Sequence, residues 1–216
     1  MTEEEKLKEE KLKEEKLKEE KLILEGVRRL VDQFAKEFLE QPYRYWQEID
    51  VQVALTSRID ALLRSLGLDL VRGNYPRALT GFQGNQLWSR VSCEPSIWME
   101  WKGKWSRCNP DIVIWKHLED ENDPPDQLGE KWRGNWPMLW ACEIKLDDVK
   151  KTGWDEKKLV QLLKSGELDF GCIVDISRKP GAKPEEETKE EGKLQVLKFA
   201  LPSLPSKKLK ATNDET

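Results

Sequence analysis

Soft metal ligands are scarce in this chain. It has one histidine, His117, and four cysteines, Cys93, Cys108, Cys142 and Cys172, with no two cysteines at C-x-x-C spacing. A structural zinc site needs more than this, so none is expected. Cys142 and Cys172 sit inside apolar runs and read as small buried residues. Long apolar runs are missing too: nothing reads as a secretory leader or a membrane span, which points to a protein of the reducing cytoplasm with no membrane partner. Net charge is small, with 37 basic and 41 acidic residues. Without residues 1 to 25, which hold 7 basic and 10 acidic residues, the balance is 30 against 31. Bulk charge therefore gives the chain no means of coating a nucleic acid.

What is abundant is charge in a pattern. Residues 3 to 22 cycle through Lys-Leu-Lys-Glu-Glu, with Leu7, Leu12, Leu17 and Leu22 five apart. Five residues advance a helix by about 500°, so these leucines spiral around it and cannot form a coiled-coil seam. Glu4/Lys8, Glu9/Lys13 and Glu14/Lys18 each favour a solvated helix by a few tenths of a kcal/mol. Residues 1 to 25 thus read as a charged helical extension, and a protein partner is the one role open to it. From Leu22 to about Leu39, Val27, Leu30, Val31, Phe34 and Phe38 recur at helical spacing. This second stretch should pack on the domain and end before Pro42.

Two apolar strands carry charges that a buried strand should not have. The first is Asn109-Pro110-Asp111-Ile112-Val113-Ile114-Trp115 and the second Met138-Leu139-Trp140-Ala141-Cys142-Glu143-Ile144-Lys145-Leu146. A buried carboxylate costs several kcal/mol unless a metal, a cation or hydrogen bonds compensate it. Alternation along the second strand puts Glu143 and Lys145 on one face and Cys142, Ile144 and Leu146 on the other. A solvated edge strand would also alternate in this way, but it accounts poorly for Asp111 at the head of an apolar run. Upstream, Leu55, Ile59, Leu62, Leu63 and Leu66 define one face of a helix from about Trp46 to Leu66, closed by Gly67. Glu48 and Gln52 project onto that face, whereas Asp50 points away. An acid at a helix start also suits the helix dipole, so Glu48 has two readings.

Pro-Asp at the mouth of one strand, followed after a loop by Glu-x-Lys on the next, resembles the PD-(D/E)xK nuclease superfamily, over roughly residues 46 to 177. Glu-x-Lys recurs elsewhere, for example at Glu100/Lys102, but no Pro-Asp precedes that copy. Pro125-Asp126 leads into a polar turn and no strand. The resemblance implies a restriction-endonuclease-like mixed central sheet flanked by helices, an α/β fold. It also implies a Mg²⁺- or Mn²⁺-dependent endodeoxyribonuclease with Asp111, Glu143, Lys145 and Glu48 as site residues. Asp111, Glu143 and the Ile144 carbonyl would hold the metal, hard oxygen ligands suited to such a cation, with Glu48 serving a second metal or its water. Lys145 would orient or deprotonate the attacking water and stabilise transition-state charge. Gln161 is a weaker candidate for holding phosphate. DNA is the implied substrate, and a homodimer, common for duplex cleavage in this superfamily, stays open. A noncatalytic nucleic-acid- or protein-binding module on the same fold is the alternative, as is an adaptor with a vestigial site.

The remaining organisation supports an α/β domain from 26 to 201. A strand at 96 to 102 turns at Gly103, and residues 87 to 91 suit another. A polar insertion spans about 117 to 137. A helix follows from Trp154 to Lys164, with Leu159, Val160, Leu162 and Leu163 inward, and then a strand from Phe170 to Ile176. Residues 179 to 192 read as a loop, 193 to 201 as a last strand and 202 to 216 as a disordered tail. Of ten tryptophans, Trp98, Trp101, Trp105, Trp132 and Trp136 lie in or beside loops, where they could stack on unpaired bases, although aromatics are also ordinary core residues. Arg72, Arg77, Arg90, Lys102, Lys104 and Arg107 could line a groove beside them. Lys150, Lys151, Lys157 and Lys158 form the densest basic group, which reads equally as a contact for phosphate backbone or as a solvated helix face.

Overall fold

The computed structural model describes residues 2–42, 44–74, 85–116, 137–147, 152–178 and 185–200. The charged repeat and the amphipathic stretch after it form one helix, α1 (Glu3–Glu40). Its start is a capping box, in which the Glu5 N–H donates to the Thr2 hydroxyl and the Thr2 N–H to the Glu5 carboxylate. Leu7, Leu12 and Leu17 stay exposed, as their five-residue spacing requires. The expected i,i+4 ion pairs Glu4–Lys8, Glu9–Lys13 and Glu14–Lys18 form along the same segment. Burial begins at Ile23 and continues through Val27, Val31, Phe34, Ala35 and Phe38 at helical spacing.

Helix α2 (Glu48–Leu66) starts two residues later than the apolar pattern suggests, because the Trp46 and Gln47 N–H groups both donate to the Asp50 carboxylate and fold the entry into a cap. It ends at Gly67, whose φ of 69° only glycine adopts without strain and whose N–H reaches the carbonyls of Leu63 and Arg64. Val51, Gln52, Leu55, Ile59 and Leu63 face inward and Asp50 is exposed, while Leu62 and Leu66 are only half-buried.

Six strands make the central sheet: β3 (Val91–Cys93), β6 (Ile112–Trp115), β7 (Met138–Leu146), β8 (Leu168–Ser177), β10 (Leu194–Ala200) and β9 (Glu185–Lys189), in that spatial order. The β3–β6, β6–β7 and β10–β9 pairs are antiparallel, and β7–β8 and β8–β10 are parallel. Helix α3 (Thr152–Ser165) lies between the parallel strands β7 and β8 in the chain, the crossover that parallel pairing demands. Two hairpins stand apart from this sheet, β1 (Leu70–Asn74) with β2 (Asn85–Ser89) and β4 (Ile97–Trp101) with β5 (Lys104–Cys108). The β4–β5 turn is Lys102-Gly103, both at positive φ, as a two-residue hairpin loop requires.

One core lies between α1, α2 and the sheet face carrying Cys142, Ile144, Cys172, Val174 and Ile176. A second lies on the other face, where Ala141 and Ile173 meet Leu159, Leu162 and Leu163 of α3 and Ile97 and Met99 of β4. The protein is therefore a mixed α/β sheet flanked by helices. Strand β9 corrects the expected loop at 179–192. Among the described strands it pairs only with β10, and four of its five residues are exposed, so it carries no apolar alternation to betray it. The insertion (117–136) and the tail (201–216) lie outside the described residues. Among the described residues no helix is long and apolar enough to cross a membrane.

Arg90 does not line a groove. Its side chain is 1% exposed, forms an ion pair with Glu19 of α1, and donates from Nε to the Trp115 carbonyl at 3.0 Å. Lys116 Nζ next to it lies 3.6 Å from Glu20. These two pairs fasten the last turn of the charged repeat to the edge of the sheet. Glu19→Ala strands a buried guanidinium, and because Glu19 is partly solvated the expected loss is about 2–3 kcal/mol, at the low side of a broken buried pair. Urea unfolding of the variant checks this, and a loss below about 0.5 kcal/mol would show that the pair does not hold α1.

Candidate active site

Glu143 and Lys145 point from β7 toward α3, into the face opposite Cys142 and Ile144. Both are buried, at 2% and 7% exposed. Asp111 sits just before β6 and accepts from the Ile144 N–H at 2.6 Å, so its carboxylate lies on the peptide that links Glu143 to Ile144. Antiparallel pairing of Ile112 with Cys142 sets this register. Gln52, buried on α2, donates to the Asp111 carbonyl at 2.7 Å and ties the helix to the head of β6. Glu48, at the start of α2, reaches Lys145 Nζ at 3.3 Å, which it can do because Lys145 lies one residue from the end of β7. Glu48 is half-buried and does not face the core as fully as the helical projection suggests.

The structure brings all four expected side chains together and adds two from α3. Asp155 Oδ2 is 3.1 Å from Lys145 Nζ, and Lys158 Nζ is 3.0 Å from Glu143 and 2.6 Å from Asp155. At about 100° per residue, Asp155 and Lys158 fall on the same side of α3 as Leu159 and Leu162, a charged pair on an apolar face that the sequence displays. A further acid, Asp175 of β8, is 5% exposed and lies directly beside Lys145 in the parallel pairing. Among the described residues no hydrogen bond joins Gln161 to these groups. Of the basic group, Lys158 enters the site, Lys157 is exposed, and Lys150 and Lys151 lie outside the described residues. Trp101 is half-buried, Trp132 and Trp136 lie outside the described residues, as do Arg77 and His117, and nothing is described of the Arg72, Trp98 and Trp105 side chains.

Glu48, Asp111, Glu143 and Asp155 meet two ammonium groups, an excess of two negative charges when all are ionised, before Asp175 is counted. Burial pushes Glu143 up to about 7; Lys158 opposes the shift, and Asp111 and Asp155 add to it. Burial likewise raises Asp111 to about 6, against the stabilising Ile144 N–H and the Lys145 charge. Burial alone would push Lys145 down, but Asp155, Asp111 and Glu143 outweigh it and hold the group above the usual lysine value. Lys158 follows the same logic and is raised, through Glu143 and Asp155.

The donors suit a hard divalent cation: carboxylate oxygens in a buried cluster short of positive charge. Among the described residues, however, no three carboxylate, cysteine or histidine side chains are already drawn together around one point, and the ammonium groups of Lys145 and Lys158 contact these carboxylates instead. A cavity of about 220 Å³ under α1, floored by Trp140, Phe170 and Cys172, is on the other face of the sheet and is not part of this site. Compared with known proteins, the chain matches no family model, no curated protein and no solved structure.

Raised carboxylates set a pH dependence. A group whose folded pKa lies above its unfolded value stabilises the fold below the unfolded value and loses that contribution as pH rises through the folded one. For Asp111 and Glu143 the window runs from about 4 to about 7. Metal-free protein should therefore melt lower at about pH 8 than at about pH 5, Glu143 forfeiting on the order of 2–3 kcal/mol and Asp111, already part-way through its window at pH 5, about 1–2 kcal/mol. Glu143→Gln should flatten that slope, and an unchanged slope in differential scanning calorimetry would contradict the assignment.

Proposed function

We propose that this protein is a metal-dependent nuclease of the PD-(D/E)xK type that hydrolyses DNA phosphodiester bonds on a restriction-endonuclease-like fold. One observation carries this reading. The Asp111 carboxylate accepts from the Ile144 N–H, in the peptide that follows Glu143, so the residues of the two-strand motif come together in one cluster. The element order α2, β3, β6, β7, α3, β8, with an antiparallel trio followed by a parallel strand, is the order the resemblance implies and supports the same reading.

Asp111 and Glu143 would hold Mg²⁺ or Mn²⁺ with the Ile144 carbonyl, and Glu48 would serve a second ion or its water. When bound, the cation supplies charge neutralisation at the phosphate and a more acidic water. Lys145 is held as an ammonium by the acids around it, which suits it to donating hydrogen bonds to the attacking water and to the oxygens that gain charge, and not to removing a proton. Asp155 positions Lys145 and Lys158 together. Lys158 neutralises Glu143 while no cation is present, and must yield that oxygen or share it when one binds.

A noncatalytic binding module is the second reading. The observation in its favour is that Glu143 already has a lysine counter-ion, with no ready-made ligand trio among the described residues. Cleavage of labelled single-stranded, duplex and branched DNA with Mg²⁺ or Mn²⁺ separates the two. The nuclease reading expects cutting that chelation stops and that Asp111→Ala and Lys145→Ala each reduce by about 100-fold or more. No cutting of any substrate would leave the binding module.

A further inference from the structure

Among the described aromatic side chains, the two that are exposed are Trp46 and Trp154, at 77% and 55%. Neither is scattered at random. Trp46 stands two residues before Glu48 and Trp154 one residue before Asp155, and those two carboxylates meet on the Lys145 ammonium at 3.3 and 3.1 Å. Trp154 is also held in place. Trp101, the last residue of β4, lies edge-on to it with ring centroids 5.0 Å apart and planes at 70°. That contact fixes the β4–β5 turn beside the first turn of α3, and with it the exposed Lys102 and Lys104; Lys157 is exposed on α3 itself. Among the described residues these three lysines form no ion pair.

A large indole kept in water next to a buried ionic cluster is a surface in want of a flat apolar partner, and the lysines beside it add a preference for an anion. An unpaired nucleotide has both properties, a free ring face and a phosphate. In a duplex the ring faces are already stacked on their neighbours. Lysines meet phosphates without reading sequence, and an indole stacks on any base. We propose that Trp46, Trp154 and the lysines around Trp154 receive a single-stranded nucleic acid, or the unpaired end of one, and lead its backbone to the cluster. This assignment of substrate class rests on the phosphodiesterase reading above.

Two measurements keep the fates of the two ideas apart. Hydrolysis of bis(p-nitrophenyl) phosphate by the unsubstituted protein with Mn²⁺ reports the cluster's chemistry, since that ester carries no base. Binding is read by fluorescence anisotropy in an Asp111→Ala background, with a labelled oligothymidylate of about 20 nucleotides and a duplex of the same length. The expected result is tighter binding of the single strand, weakened roughly tenfold by Trp154→Ala or Trp46→Ala and largely restored by Trp154→Phe. Equal affinity for both forms, or alanine variants that bind the single strand as the parent does, overturns the substrate class even if the ester is cut. Loss of self-association on size exclusion, with oligonucleotide binding unchanged, overturns it in favour of a contact between copies of this chain. Ester hydrolysis that is absent while the single-strand preference stands overturns the phosphodiesterase reading alone.

Discussion

Placing Glu143 and Lys145 on an inward face of a central strand is the constraint around which the rest of this protein is arranged. A lone buried carboxylate or ammonium costs several kcal/mol, so each needs partners brought from elsewhere in the chain. The structure supplies them from three elements around the β7 pair: Asp111 from the head of β6, Glu48 from the start of α2, and Asp155 and Lys158 from α3. The outcome satisfies the lysines better than the acids. Glu143 and Asp111 both sit above their ordinary carboxylate values because burial and mutual repulsion exceed what the two lysines return. Such an imbalance destabilises the fold above neutral pH. It is the electrostatic condition under which a divalent cation gains most by binding.

The two faces of the sheet divide the labour. Cys142, Ile144, Cys172 and Val174 form an apolar core with α1 and α2, while Ala141, Glu143 and Lys145 look toward α3. The Gln52 bond to the Asp111 carbonyl and the Arg90 pair with Glu19 lock α2 and α1 to the antiparallel edge, and the Ile112–Cys142 register then brings Asp111 to the Ile144 N–H. Within the charged repeat, Glu19 is the residue that pairs with Arg90, while Leu7, Leu12 and Leu17 before it are exposed.

Much of this was legible in the residues because the signals were local. Strand β7 occupies the bounds its apolar run suggested, and the period-two alternation placed Glu143 and Lys145 together. Helix periodicity found α2, α3 and the packed half of α1. What escaped depended on pairing across space. Strands β1, β5 and β9 have no apolar alternation of their own, and β9 exists only because β10 offers it an edge. Arg90 looked like a surface cation, since nothing in its neighbours reveals that a glutamate 71 residues earlier closes over it. Asp155 and Lys158 project onto the apolar side of α3, but with Lys157 beside them the same residues fit a solvated basic face equally well. The acids around Lys145 hold it as an ammonium, a constraint invisible in the sequence, where the resemblance implied that it orients or deprotonates the attacking water.

The proposed nuclease reading requires the acid excess of the cluster to take up a divalent cation. Titration of the metal-free protein with Mn²⁺, followed by the loss of the free-ion paramagnetic resonance signal, tests it without requiring any substrate. The account expects Mn²⁺ to bind the unsubstituted protein, and Asp111→Asn to abolish that binding while the chain stays folded by circular dichroism. Absence of binding in the parent, or equal binding in the variant, would contradict it.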